Sequence, residues 1–272
     1  MKETPTMLAP KTLLLASAVA AAICLSTPAD SLAAVVYQDS FSRGSVGTPI
    51  NLNGTAPDVV NTNGNTWVVS DFNSNASALK TDGSAAVESS TAFATWAYLP
   101  VNGVSGVTLN GSQDFTLTAS IVAGASLGNG DVGITLNNGA PSYTNNANTL
   151  ASLEFKSGYV QLLNTSYIGY ATNPYSLTTA NTFTLTYSAT LGRITALINN
   201  NPIVMSFGQS FVTVTPAQVQ ALQYVSFQVY NTTRTEPSVD NFTLTVVPEP
   251  STWALLAGAG AVLVTLRRRR KG

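Results

Sequence analysis

Apolar and polar residues alternate with a period of two along five stretches of this chain, and that pattern narrows the fold more than anything else in it. In DFTLTASI (114–121), Phe115, Leu117, Ala119 and Ile121 share one side, with Thr116, Thr118 and Ser120 on the other. DVGITLN (131–137) repeats this with Val132, Ile134 and Leu136, and TFTLTYSA (182–189) with Phe183, Leu185 and Tyr187. YVSFQVY (224–230) sets Val225, Phe227 and Val229 against Tyr224, Ser226, Gln228 and Tyr230, and NFTLTV (241–246) closes the series with Phe242, Leu244 and Val246. A helix returns to the same face every 3.6 residues, whereas successive strand side chains point to opposite faces. Each stretch is therefore a half-buried strand of ordinary length.

Turn chemistry separates the strands. EFKSGYVQLL reads as a hairpin over Lys156-Ser157-Gly158. LTYSATLGRITALINNNPIVM reads as three short strands, bent at Leu191-Gly192 and again over Asn199 to Pro202. One helix is expected, in TPAQVQALQ (215–223), with Thr215 as N-cap and Pro216 at the first helical position. About a dozen strands without intervening helices predict an all-β, antiparallel sandwich. Neither a repeat nor a linker divides it, so residues 34–246 are read as one β-sandwich domain.

The two ends are read differently. Residues 1–33 have Lys2 and Lys11, an apolar run (TLLLASAVAAAICL) and small residues before a cut ahead of Ala34, which is the layout of a cleavable signal peptide with its helix. Residues 247–272 contain Pro248, Glu249 and Pro250, then sixteen uncharged residues (251–266), then Arg267, Arg268, Arg269, Arg270 and Lys271. A membrane span needs about 20 apolar residues, so this short apolar helix is a halting signal, with its basic end left on the cytoplasmic side. Pro248 and Pro250 keep the segment before it extended.

Composition then excludes several chemistries. There is no histidine, and the single cysteine, Cys24, leaves with the signal peptide. A Ser–His–Asp triad, a cysteine nucleophile and ordinary zinc sites all fall away. Ten acidic and five basic residues between 34 and 247 leave about −5 on the mature domain, which speaks against binding nucleic acid. No cofactor is expected. Ca²⁺ stays open because it takes oxygen ligands, and Asp71, Asn73 and Asn75 have alternate spacing; the glycine and closing glutamate of a calcium loop are absent, so a plain Asx-rich turn is the better reading.

The order of DSFSR (39–43), LNGTAPDV (52–59), TWVVS (66–70), YSATLGRITALINNNPI (187–203) and VDNFTLT (239–245) resembles the concanavalin A-like jelly-roll domains of secreted bacterial proteins. The tail, Val-Pro-Glu-Pro followed by an apolar helix and a basic cluster, is similar to the PEP-CTERM sorting signal. That resemblance implies an exosortase-type processing enzyme as partner, cutting near Pro248 to Pro250, transient association with the inner membrane, and a final place at the cell surface or in the extracellular matrix.

Jelly rolls of this kind include glucanases, whose strand carries carboxylates two residues apart; neither Glu88 nor Glu154 has such a neighbour. Asp131 and Glu154 could still meet across neighbouring strands. Two carboxylates facing one cleft are the requirement of glycoside hydrolysis, but the chain is read as non-enzymatic. Extracellular polysaccharide is the expected partner. In FATWAYLP (93–100), Trp96 and Tyr98 share one parity, against Phe93, Ala97 and Leu99. Tyr224, Gln228 and Tyr230 do the same in a second strand, and Thr135, Asn137 and Glu154 supply polar partners. Together they form either a carbohydrate-binding face or rings packed beneath loops. Trp67 belongs to the core.

Overall fold

The alternating stretches pair edge to edge, and their apolar sides meet in one core. The computed structural model describes residues 33–45, 48–60, 65–71, 79–88, 95–101, 109, 111–124, 127, 130–141, 146–156, 158–164, 167–206, 208–230 and 237–247. Residues 1–32 and 248–272, which hold most of the expected signal peptide and the sorting tail, lie outside the described residues, as do Asn73, Asn75 and Phe93.

Strands among the described residues are numbered in chain order and form two antiparallel sheets. The first runs β12 (Tyr167–Thr172), β11 (Tyr159–Leu163), β10 (Thr149–Lys156), β9 (Asp131–Asn137), β17 (Tyr224–Tyr230), β7 (Thr95–Pro100) and β4 (Val68–Asp71). The second begins β15 (Asn201–Pro202), β14 (Arg193–Ile198), β13 (Asn181–Ser188), β8 (Phe115–Val122) and β18 (Ser238–Val246). It continues through β6 (Ala86–Glu88), β5 (Leu79–Thr81) and β2 (Ile50–Asn51). Off this path, β1 (Ala34–Asp39) pairs with β18, β3 (Val59–Val60) with β1, and β16 (Phe211–Thr213) with β14. The short strands β2, β3, β15 and β16 have two or three residues each, too few for an alternation to register.

All three predicted turns form, the one at Leu191-Gly192 with Gly192 at a φ of 58°. Lys156 stands opposite Tyr159, so two residues close the hairpin, and Gly158 takes a φ of 85° that only glycine adopts without strain. Asn199 and Asn200 take φ of 52° and 65° between β14 and β15, the paired left-handed geometry of a tight hairpin. The helix α1 (Pro216–Gln220) is shorter than the sequence suggests. Thr215 and Gln218 close a capping box at its start, and the cap at Ala221 ends it.

One parity of each sheet is buried. Phe227, Ile134, Leu153 and Val160 from the first sheet lie against Phe242, Leu117, Phe183 and Leu185 from the second. Trp67 is fully buried, edge-on to Phe227 at 5.3 Å and to Phe242 at 5.1 Å between ring centroids. Its indole N–H donates to Asp39 Oδ2 at 2.6 Å, while the Phe41 amide donates to Oδ1 at 2.8 Å and Arg43 pairs with the same carboxylate. Burial still raises the Asp39 pKa, because these donors only partly replace water. Among the described residues every core residue lies between Val36 and Val246, and Ala33–Val247 forms one compact unit, so this stretch carries its own core. Its ends leave side by side, since Ala34 pairs with Val246.

Candidate functional site

The parity that the core does not use gathers the polar and aromatic residues on the outer face of the first sheet. Cross-strand register fixes who meets whom. Trp96 stands opposite Gln228, Gln228 opposite Gly133, Gly133 opposite Glu154, Glu154 opposite Gln161 and Gln161 opposite Tyr170. One row away, Tyr98 faces Ser226, Ser226 faces Thr135 and Thr135 faces Ser152. Tyr224 faces Asn137 in a third row, and Tyr230, Asp131, Lys156 and Tyr159 follow one another in a fourth. All eight expected residues (Trp96, Tyr98, Thr135, Asn137, Glu154, Tyr224, Gln228 and Tyr230) therefore share one face.

Their exposure differs, and so do the parts they can play. Thr135, Asn137 and Glu154 are at most 4% exposed and hydrogen-bonded to neighbours on the same face. Asn137 Nδ2 donates to Ser226 Oγ at 2.7 Å, and the Thr135 and Ser152 hydroxyls are 2.8 Å apart. The Ser152 hydroxyl donates to Glu154 Oε1 at 2.6 Å, and the Gln161 amide donates to Oε2. Trp96 is buried, its indole N–H donating to Gln228 Oε1 at 3.3 Å. Tyr98, Tyr224, Gln228 and Tyr230 are half-buried and reach the surface. Tyr98 and Tyr224 meet edge-on at 5.1 Å, and across the sheet Tyr159 and Tyr170 do likewise at 5.6 Å.

A short charge cluster connects these groups. Lys156 Nζ donates to Asp131 Oδ2 and lies 3.8 Å from Glu154 Oε2, so one ammonium serves two carboxylates. Gln228 Nε2 donates to Asp131 Oδ1 at 2.8 Å. Burial, then the nearby Glu154 charge, push the Asp131 carboxyl up to about 7, and Lys156 and Gln228 oppose them only in part. Burial alone would lower the Lys156 pKa, but the two carboxylates outweigh it and hold the ammonium above its ordinary value.

Gly133 makes room for this arrangement. A Cβ there would lie 2.2 Å from the Leu153 carbonyl oxygen and 2.9 Å from Glu154 Cγ, so the Glu154 side chain extends over a position that must lack one. Ser152, Gln161, Lys156, Tyr159 and Tyr170 were absent from the expected set. Parity and the hairpin over Lys156-Ser157-Gly158 could have placed Tyr159 and Gln161 beside Glu154 on the polar side of β11, against Val160 and Leu162, but nothing in the sequence sets β12, which carries Tyr170, next to β11. Asp71 is buried in β4 on the core side, and among the described residues no group of three or more His, Cys, Asp or Glu is arranged to hold a metal ion. No described helix is long and apolar enough to cross a membrane.

Residues 246–271 match the family of PEP-CTERM protein-sorting motifs. The chain carries a PEP-CTERM sorting signal. Pro248, Glu249, Pro250 and Arg267 to Arg270 all fall within that match, and the signal marks an exported protein sorted to the cell surface through exosortase processing. No curated protein matches the sequence significantly.

Solved structures resemble the part of the chain that precedes this signal. Endo-1,3-beta-glucanase from Streptomyces sioyaensis is 14% identical with a TM-score of 0.50, covering 82% of this chain and 98% of its own. The Emp46p carbohydrate recognition domain (11%, TM-score 0.46) covers 66% of this chain and 87% of its own. Lectin II from Ulex europaeus (10%, TM-score 0.44) covers 66% and 92%. At 14% identity the likeness to the glucanase shows the fold alone, the jelly roll that the sequence resemblance implied.

Proposed function

We propose that the chain is a non-enzymatic protein of the cell envelope or extracellular matrix that holds polysaccharide on the outer face of its seven-stranded sheet. The observation that carries this reading is the union, on one rigid face, of half-buried tyrosines and amide side chains. Tyrosine presents an apolar ring with a polar tip, and a sugar offers C–H faces to the one and hydroxyls to the other. Tyr98, Tyr224, Gln228 and Tyr230 are the contact residues; the Trp96 indole orients the Gln228 amide, and Thr135, Asn137 and Glu154 are already hydrogen-bonded to Ser152, Ser226 and Gln161 on the same face. Exosortase processing near Pro248 to Pro250 would free the domain after a transient stay at the inner membrane.

Binding of residues 34–247 to a panel of polysaccharides tests the reading. The expected result is saturable retention on at least one, weakened at least about tenfold in Tyr98→Ala/Tyr224→Ala, as for loss of a central aromatic contact. No retention on any member would refute it. An intact mass from the native host ending near residue 250 is expected alongside; a full-length tail there would refute the processing.

One observation favours a second reading, glycoside hydrolysis. Asp131 and Glu154 reach the same lysine from adjacent strands, and a carboxyl pushed up to about 7 suits a general acid. Against it, each carboxylate oxygen already accepts from Ser152, Gln161, Lys156 or Gln228. Reducing-end release lost in both Asp131→Asn and Glu154→Gln would replace binding by catalysis.

A further inference from the structure

We infer that Asp131 and Glu154 restrict this face to uncharged, extended polysaccharide chains by holding the lysine between them, Lys156, out of reach of an anionic ligand. The inference rests on the carbohydrate-binding reading above and concerns which carbohydrate the face accepts.

Charge comes first. Among the described residues of the seven-stranded sheet, the outer face carries two carboxylates, Asp131 and Glu154, and one cation, Lys156. The other cations described are elsewhere. Arg43 pairs with Asp39 and Asp58, Arg193 lies 4.8 Å over the Phe211 ring, and Lys80 sits in β5 of the second sheet. The face is therefore net negative when both acids are ionised, and its ammonium is already paired. A uronate, sulfate or phosphate group arriving here loses hydration, meets two carboxylates, and gains nothing unless it breaks the Lys156–Asp131 pair. Neutral hydroxyls incur no such cost.

Shape gives the second half. The Tyr98–Tyr224 pair spans β7 and β17, and the Tyr159–Tyr170 pair spans β11 and β12. Four strand spacings separate the pairs, about 19 Å, and their registers differ by about four residues, a further 14 Å or so along the strands. The diagonal is roughly 23 Å. A single terminal sugar reaches one pair only, whereas a chain laid across the sheet reaches both and passes over Gln228 and the cluster between.

The test uses the domain 34–247, which has its own core, with the neutral polysaccharide retained in the panel, its oligosaccharides of graded length, alginate and polygalacturonate. At low ionic strength and pH 8, where Asp131 is ionised, the native domain should bind the neutral chain and neither polyuronate. Affinity should rise with oligosaccharide length until both tyrosine pairs are spanned. Tyr159→Ala should then weaken the long chain about tenfold and leave short fragments unchanged. In Asp131→Asn/Glu154→Gln, Lys156 is released, and salt-sensitive binding to alginate should appear, at least tenfold above the native domain.

Native binding to a polyuronate as tight as to the neutral chain would overturn the inference and leave the carbohydrate reading standing. So would a folded double variant that gains nothing on alginate, or affinity independent of oligosaccharide length. Should the double variant fail to fold, the length series and the native polyuronate measurement still decide. Failure to bind any polysaccharide, neutral or acidic, removes the carbohydrate reading and the inference with it.

Discussion

Gly133→Ala tests whether the fold and the candidate site share one support. Gly133 lies mid-strand in β9, between β10 and β17, where a glycine ordinarily costs about 0.5–1 kcal/mol relative to alanine. On propensity alone the substitution stabilises. The added Cβ would instead stand 2.2 Å from the Leu153 carbonyl oxygen, 2.9 Å from Glu154 Cα and 2.9 Å from Glu154 Cγ. Two of these atoms are backbone in a strand hydrogen-bonded on both sides, so they cannot swing away. Overpacking of this kind costs about 1–3 kcal/mol, and the short approach to a ladder carbonyl places this case at the upper end. After the propensity gain the net loss is about 2 kcal/mol, or about 4–8 °C in Tm for a domain this size. Thermal melting by circular dichroism reads it, with Gly158→Ala beside it. At Gly158 a Cβ meets nothing within 4 Å and only the left-handed φ of 85° opposes the change, at about 1–2 kcal/mol. Pairing Gly133→Ala with Glu154→Ala should recover only the part of the loss due to Cγ. An unchanged or higher Tm in Gly133→Ala would refute the placement of Glu154 over residue 133, and with it the geometry of the charge cluster.

Two further outcomes follow from named contacts. Asp131 binds its proton more tightly when folded than when unfolded, since its carboxyl is raised from 3.8 to about 7. Its stabilising contribution is thus fully present below about pH 4 and is lost as pH rises through 7. Urea titrations of the native protein and Asp131→Asn, compared between pH 4 and 8, should show a difference that declines by up to about 4 kcal/mol over that window; a flat difference would refute the raised pKa. Tyr187→Phe removes a buried hydrogen bond of 2.7 Å from the phenol to the Gly111 carbonyl while keeping the ring packed on Phe115. The expected loss is about 1–2 kcal/mol by chemical denaturation, and no loss would mean that water takes the vacated place.

What was legible in the sequence was parity. Val225, Phe227 and Val229 on one side and Tyr224, Gln228 and Tyr230 on the other are read directly from the alternation in 224–230, and the structure places them so. Trp67 as a core residue and Thr215 as a helix cap were legible for the same local reason. Strand order was not. Asn137 lies opposite Tyr224, 87 positions later in the chain, and Gln228 reaches Asp131 only because β9 runs between β10 and β17. Period-two patterning states which face a side chain takes and is silent on which strand lies beside it. Tyr170 on β12 was missed for that reason, whereas Tyr159 on the hairpin strand β11 was legible by parity and passed over; the short strand β2 was missed because two residues cannot show a period.

The same economy of charge explains both the interior and the surface of this domain. Arg43 is spent on Asp39 and Asp58, Lys156 on Asp131 and Glu154, and Arg193 lies over Phe211, so of the four described cations only Lys80 has no such assignment here. Solubility is left to asparagine, serine and threonine, whose amides and hydroxyls hydrogen-bond without attracting counterions. The domain carries about −5, and no basic cluster among the described residues could draw it to an anionic layer. Destination must then be encoded elsewhere, and residues 246–271 encode it as a sorting signal. On the proposed function, a body that recognises by rings and neutral polar groups, joined to a tail that delivers it, divides the work so that neither part needs the other's charges. Moving the tail to another domain should therefore redirect that domain, while Asp131→Asn should change what the delivered body binds and leave its delivery unaltered.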